Sequence, residues 1–520
     1  MNKFTVLPAG VSASAFAKAI EEFSGILGRE HVVVEPERLA PYRKIYIAVA
    51  EDAFAPSAAL MPSSVAEIQK ILAVCNRHKV PLWTISTGRN IGMGSAAPAT
   101  RGQAILDLKR MNRIIEVDAE LGSALIEPGV TYLDLKNYID EHKLPFWVDA
   151  PSPGPIVSPI GNTLERGHGY TINQDHVYSF SGMEVVLANG EVIRTGFGPL
   201  PNCKSWQAFR AGYGPYIDGM FTQSNFGIVT KMGIWLTPVQ EGAKSFVVYY
   251  NRREDLAPAV DTFRRLRLAG TISVSGSILS GFTLLGFGQP KSSFHSGKGA
   301  IPRAEVDALL KERGLPHWRV GGVVYGDDEE TTIKLRKIRR AFEATNPAQI
   351  LIEDSSGVVP SWGEGDLASA TGQLSLDAFR ILNFVGGGGV MWHMPVSAMK
   401  GRYVDELCTM SEEILRRFGF DYLAMNWCSD RDMHQTTGIF FDRTDPAQMR
   451  AAYDCYDALM QETSRAGFGN YRASIHYMDK AAELLGPELR SFLRSIKRAV
   501  DPAGILAPGK SGIHTSRESG

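Results

Sequence analysis

The sequence predicts an α+β protein in two parts, and three observations predict it. At 520 residues the chain is longer than one hydrophobic core usually serves. From about 104 to 240, short apolar runs alternate with Gly and Pro punctuation, the mark of strands. Beyond about 245, longer helical stripes alternate with strands, so an α/β-type second domain is expected over 245–496. The Gly-rich tail, 497–520, is expected to return to the first domain, 1–240.

The elements follow in order. Ala58–Met61 is a short apolar segment closed by Pro62. Ser64 and Glu67 form an S-x-x-E capping box. Ile68, Ile71, Leu72 and Cys75 then recur at helical spacing, and Arg77, His78 and Lys79 suit the negative helix end. Val80–Ile85 reads as the next strand. Ala104–Leu108, Ala124–Glu127, Glu184–Ala188 and Ile228–Leu236 read as further strands, with a two-residue hairpin turn at Asn189-Gly190. Val404, Leu407, Cys408, Leu415 and Phe418 make a helical stripe ending at Gly419. Asp445-Pro446 starts a helix as N-cap and first-turn proline, and Gly467 ends it. Leu489, Phe492, Leu493, Ile496 and Val500 form a last stripe, stopped at Asp501-Pro502.

Composition excludes several classes. A formal net charge of -1 gives no basic field for nucleic acid or an anionic membrane. No apolar run reaches the ~18 residues of a membrane span. The N-terminal residues lack the apolar stretch of a signal peptide, which predicts a cytoplasmic protein. Cys75, Cys203, Cys408, Cys428 and Cys455 show no metal-ligand spacing and read as mostly buried thiols; no metal is expected.

The most informative stretch is Trp83–Pro98, WTISTGRNIGMGSAAP. It offers many backbone N–H groups and few side chains, which suits a pyrophosphate. It is neither a G-x-G-x-x-G fingerprint nor a Walker loop, and alone it also reads as a plain surface connection. Further segments add to it: EPGVTY (127–132), GNTLERGHGY (161–170), MEVVLANGEVIRTG (183–196), DGMFTQSNFGIVTKMGI (218–234) and DPAGILAPGKSGI (501–513). In this order they resemble the vanillyl-alcohol-oxidase-type flavoproteins, on the branch of 4-cresol dehydrogenase and eugenol oxidase.

The resemblance implies a PCMH-type FAD-binding domain of two α+β subdomains, built from both chain ends, plus a substrate (cap) domain. Ser86, Thr87, Gly88, Arg89, Asn90, Gly92, Met93, Gly94 and Ser95 would wrap the FAD pyrophosphate. Gly161, Asn162 and Thr163 would lie along the flavin, and Gly227 and Ile228 would meet the adenosine half. Lys510 matches a basic residue near the pyrimidine end of the flavin; its other reading is a solvated lysine.

The family oxidises 4-substituted phenols. It binds the phenolate, moves a benzylic hydride to the flavin and forms a p-quinone methide. Tyr471 and Arg472 match its phenolate-binding pair. The family's second tyrosine falls at Met93, which cannot donate a hydrogen bond; at a charged acceptor such a bond is worth roughly 1.5–3 kcal/mol. The covalent flavin attachment points fall at Val390 and Leu382, which cannot make the bond, and His393 lies nearby, so noncovalent FAD is expected. A carboxylate facing the reacting carbon falls near Ser152, with Asp149 the nearest acid, and two glutamates fall at Ala378 and Met425. His434 is a candidate base or a structural histidine, and His168 a flavin-edge or loop-packing residue. Met93, Met391, Trp392, Met394, Met425 and Trp427 suggest an apolar pocket, or in part plain core.

The leading reading is an FAD-dependent oxidoreductase taking hydride from the benzylic or allylic carbon of a 4-substituted phenol. Tyr471 and Arg472 hold the phenolate, and His434 or Asp149 handles protons. O2 or a c-type cytochrome accepts the electrons, export with a cytochrome subunit would make the protein periplasmic, and a homodimer or larger assembly is expected. Two alternatives stand beside it. One is the same fold acting on a non-phenolic aromatic alcohol or in a redox-neutral reaction. The other is a non-catalytic flavin-binding subunit.

Overall fold

The computed structural model describes residues 4–152, 154–274, 276–352 and 367–516. Positions 1–3 and 517–520, the outer ends of the expected first domain, lie outside these, as does Pro153 of the 149–159 loop. Three main sheets organise the chain. The first has four strands in the order Val32–Val33, Ala59–Leu60, Ala104–Asp107, Leu82–Ile85, with the last three parallel. The second is antiparallel, in the order Ile114–Asp118, Ser123–Ile126, Ile228–Trp235, Phe180–Val186, Val192–Arg194. The third has nine strands drawn from 243–470, all antiparallel, with Asp432–Asp442 pairing three neighbours.

Local sequence signals account for most elements. Helix Val65–His78 begins where the Ser64 side chain accepts from Glu67 N, and buries Ile68, Ile71, Leu72 and Cys75. The reciprocal half of the capping box is displaced by one residue: the Glu67 carboxylate accepts from Ser63 N at 2.6 Å. Helix Gly401–Arg417 carries the expected stripe, and Asp445 caps helix Pro446–Arg465. The hairpin near Asn189 has three turn residues, Ala188–Gly190, closed by Leu187 N to Glu191 O; Gly190 takes φ +87°, the bulge form of this turn. Helix Pro487–Val500 packs only Leu493, Ile496 and Val500 against the core, while Leu489 and Phe492 are exposed.

Part of the tail pairs with the first sheet, Leu506 bridging Leu82. Leu82 N donates to Ile505 O and Ala507 N to Leu82 O, each at 2.7 Å, so the tail lies beside the strand that leads into the Gly-rich loop. Fully buried Lys497 locks it there: Nζ donates to the carbonyls of Asn225 (2.6 Å) and Leu506 (2.7 Å) and pairs with Asp501 at 2.8 Å. Asp501 in turn accepts from Ile505 N and Leu506 N. Burial pushes the Lys497 amine down to about 8, against the pull of Asp501. Unfolded lysine titrates near ~10.4, so between these pH values the unfolded chain holds more protons and this group's contribution to stability rises with pH. Lys497→Met leaves Asp501 and two carbonyls buried without their partner and is expected to cost about 3–5 kcal/mol, read by urea unfolding at pH 7.

Among the described residues, no helix is long and apolar enough to cross a membrane. All five cysteines are free, and four are buried.

Candidate functional site

A cavity of about 980 Å³ runs from the Gly-rich loop to the face of the nine-stranded sheet. The parallel strand Leu82–Ile85 delivers the loop to its wall, and the loop then coils on itself, with Met93 N and Ser95 N both donating to Asn90 O. The amides of Gly88, Arg89, Asn90, Ile91 and Gly92 donate to no group among the described residues. Gly92 has φ +76°, and a Cβ there would stand 2.6 Å from Trp392 Nε1, so only glycine lets the loop approach the sheet.

The opposite wall follows from strand alternation. Side chains two residues apart share a sheet face. Trp392 and Met394, Met425 and Trp427, and His434 and Thr436 therefore all line the cavity. Antiparallel pairing sets Trp427 directly beside His434.

Near this wall stand Tyr471 and Arg472, just after the short strand Gly469–Asn470. The Tyr471 ring lies 4.7 Å from that of His434, and its hydroxyl bonds the Arg472 guanidinium. Burial raises the Tyr471 hydroxyl above its usual range, with Arg472 opposing, so it stays protonated and able to donate. Arg472 Nη2 donates to Asn90 Oδ1 at 2.6 Å, joining this pair to the Gly-rich loop. His434 Nε2 stands 3.0 Å from Asp432 Oδ1, and that contact lowers the aspartate. His168 lines the cavity with its ring 6.0 Å from that of His434; burial lowers its pKa, so it is neutral at neutral pH.

Most residues expected at a cofactor site meet here. Ser86, Thr87, Gly88, Arg89, Asn90, Met93, Ser95, Gly161, Asn162, Gly227, Ile228 and Lys510 all line the cavity. Gly92, Gly94 and Thr163 stand behind the wall, the glycines fitting the loop against Trp392 and Ile475. Asp149, expected as an acid near the reacting carbon, does not line the cavity. Its buried carboxylate accepts from Tyr170 N (2.6 Å), Thr171 N (3.1 Å) and Thr171 Oγ1 (2.8 Å), so it shapes the 168–176 loop. Val390, Leu382 and His393 are likewise off the wall; His393 is fully buried and bonds Thr463 Oγ1.

The structure adds residues that the sequence reading passed over. Glu165 lines the cavity and pairs with Lys510, and Gln223 donates to Tyr471 O at 2.8 Å. Gln223 holds φ +47°, and Ser95 and Ala507 on the same cavity wall also have positive φ. Such strain persists only where the surroundings over-determine it. Both residues sit in motifs already singled out, ERGHGY and TQSN, but neither residue type announces a role.

The wall suits a dinucleotide flavin. The free loop amides fit a pyrophosphate. Ser95 Oγ and Asn225 Oδ1 are buried on the cavity wall with no partner among the described residues. Arg89 and Lys510 supply cations, and the glycines keep the backbone close.

Comparison with known proteins agrees with this class of site. Residues 56–196 match the FAD binding domain family and residues 324–511 the C-terminal domain of FAD linked oxidases. The chain is 40% identical over 515 residues to the flavoprotein subunit of 4-cresol dehydrogenase (hydroxylating) of Pseudomonas putida, covering 99% of this chain and 98% of that one. A p-cresol methylhydroxylase structure with substrate bound superposes with TM-score 0.96 at 40% identity, covering 99% of this chain and 100% of that one. A 4-ethylphenol oxidase from Gulosibacter chungangensis, in complex with isoeugenol, superposes with TM-score 0.93 at 32% identity, covering 98% and 99%. The fold and site define an FAD-dependent oxidoreductase. The chain belongs to the vanillyl-alcohol-oxidase-type flavoproteins, on the 4-cresol dehydrogenase branch.

Proposed function

We propose that the protein oxidises 4-alkylphenols at the benzylic carbon, with the phenolate oxygen held by Tyr471 and Arg472. The observation that carries this is the buried Tyr471–Arg472 pair, which shares one cavity with the cofactor loop. A guanidinium and a protonated hydroxyl around one oxygen favour its ionised form. The electron pair released by ionisation makes hydride loss from the benzylic carbon of the para substituent feasible. When bound, FAD supplies the acceptor for that hydride. Ser86–Ser95, Gly161, Asn162, Gly227 and Ile228 would hold it. His434, oriented by Asp432, takes the proton of the water that adds to the resulting quinone methide. Asp149 keeps the 168–176 loop in place rather than moving protons.

In this reading 1–240 with 497–520 forms the cofactor domain and 245–496 the substrate domain. Val390 and Leu382 offer no attachment chemistry, so FAD is held noncovalently; acid precipitation is expected to leave the flavin in solution, and a yellow pellet would overturn this. A c-type cytochrome is the favoured acceptor, as a partner subunit, in which case the pair is exported together; direct reaction with O2 goes with a cytoplasmic enzyme. The assembly is a homodimer or larger.

Anaerobic mixing tests the substrate class. 4-Alkylphenols are expected to bleach the flavin, while aliphatic alcohols leave it oxidised; bleaching by non-phenolic aromatic alcohols alone would favour the alternative substrate. Met93, 2% exposed on the cavity wall, leaves one donor position unfilled. Met93→Tyr is expected to tighten phenol binding by roughly 10- to 100-fold, the worth of one hydrogen bond to a charged acceptor. Spectral titration with a non-reacting phenol reads it, and unchanged affinity would count against a phenolate oxygen beside this loop.

A further inference from the structure

Glu165 occupies a position that the proposed chemistry leaves unused. It follows the short helix Pro159–Leu164, lines the cavity, and forms an ion pair with Lys510 Nζ. Lys510 is held between this carboxylate and the face of Trp83, whose ring centre lies 5.5 Å from Nζ. Arg472 lines the same cavity, is fixed by Asn90, and its charge also lowers the Glu165 carboxyl. Gln223 locks the arrangement: its amide N donates to Leu164 O, and its side chain reaches the carbonyls of Glu165 and Tyr471. The charged groups facing the carboxylate are Lys510, Arg472 and Arg166. Burial raises the carboxyl, and Lys510 and then Arg472 more than reverse this, so it is ionised at neutral pH.

We propose that Glu165 is the shared counter-ion of Lys510 and Arg472, a positioning residue that sets the charge at the cofactor end and at the phenolate end of the cavity together. The inference rests on the phenolate site proposed above. Without this carboxylate, Lys510 and Arg472 would both face the cavity with no acidic partner of their own among the described residues. With it, the three groups carry one net positive charge, available to one anion at a time. A phenolate at Arg472 and negative charge developing on the reduced cofactor near Lys510 therefore draw on the same balance.

The test uses the FAD-loaded protein with Glu165→Gln, which keeps the shape and an acceptor for Lys510 but removes the charge. The cofactor's midpoint potential is expected to rise by at least about 30 mV, a tenfold shift for a two-electron couple. Independently, the apparent pKa of a bound non-reacting phenol, read from its ultraviolet spectrum, is expected to fall by about one unit, one unit being tenfold in affinity for the phenolate. Lys510→Met covers the case in which Glu165→Gln loses FAD. It is expected to lower the potential and to raise the bound phenol's pKa, because the freed carboxylate then turns wholly on Arg472. An unchanged potential, or a bound-phenol pKa that rises or stays put while the potential rises in Glu165→Gln, would overturn the proposal. If the wild-type protein binds no phenol, the phenolate reading fails by itself, and the shared role fails with it even where the potential moves.

Discussion

Arg472→Ala is expected to lower kcat/KM for a 4-alkylphenol by roughly 100- to 1,000-fold, the loss seen when one donor to a developing oxyanion is removed. The guanidinium bonds the Tyr471 hydroxyl and donates to Asn90. Alanine removes the cation and also leaves both partners without their bond. The pH profile gives the diagnostic sign. With the cation gone, less phenol ionises in the complex at neutral pH, so the variant's kcat/KM climbs with pH toward the free phenol's pKa near ~10, while the wild type levels off earlier. Arg472→Lys is expected to recover part of the loss, since charge returns but the planar fork that serves two partners does not. Stopped-flow bleaching by 4-ethylphenol between pH 6 and 10 measures all three proteins. Equal profiles for wild type and Arg472→Ala would remove the phenolate site.

Gly92→Ala is expected to cost about 2–5 kcal/mol and to release much of the FAD, combining an unfavourable left-handed residue with overpacking. Gly92 has φ +76°, and an added Cβ would press on the Trp392 indole and stand 3.3 Å from Val390 Cγ1. Trp392 is fixed in its turn, its ring packed edge-on against Phe440 at 5.7 Å. The loop must therefore retreat from the sheet, and the free amides of Gly88–Gly92 go with it. Thermal unfolding with and without added FAD, together with the flavin-to-protein absorbance ratio, reads this. A control, Gly10→Ala, shares a positive φ but has nothing within 4 Å, and is expected to keep its FAD.

These two residues show how differently the site was written in the sequence. Gly92 was legible as part of a loop with many amides and few side chains, a local property. Arg472 had no local signal. A Tyr-Arg pair after Gly469-Asn470 reads equally well as a solvated strand edge, and only the family resemblance singled it out. The helices at 65–78 and 446–465 were legible because a cap, an apolar spacing and a stop residue all act within a few turns. The last helix was legible only in part, since periodicity marks a stripe but not which of its residues finds a core; Phe492 remains 63% exposed.

Asp149 marks the limit from the other side. Its residue type and nearness in sequence to Ser152 suggested acid chemistry. In the fold its oxygens accept from Tyr170 N, Thr171 N and Thr171 Oγ1, partners that the residue type alone does not reveal. Glu165 and Gln223 reverse the case, two ordinary polar residues that acquire partners 345 and 248 positions away.

By itself the sequence determined the order of helices and strands, the loop able to hold a pyrophosphate, the family and its cofactor. All of these depend on short-range spacing or on ordered motifs, which one chain displays directly. Only the tertiary structure decided which charges share the cavity. It brought the tail's Lys510 to Glu165 and set Arg472 against Asn90. Electrostatic interaction falls with distance through space and is blind to distance along the chain, so such pairings exist only once the sheets have packed.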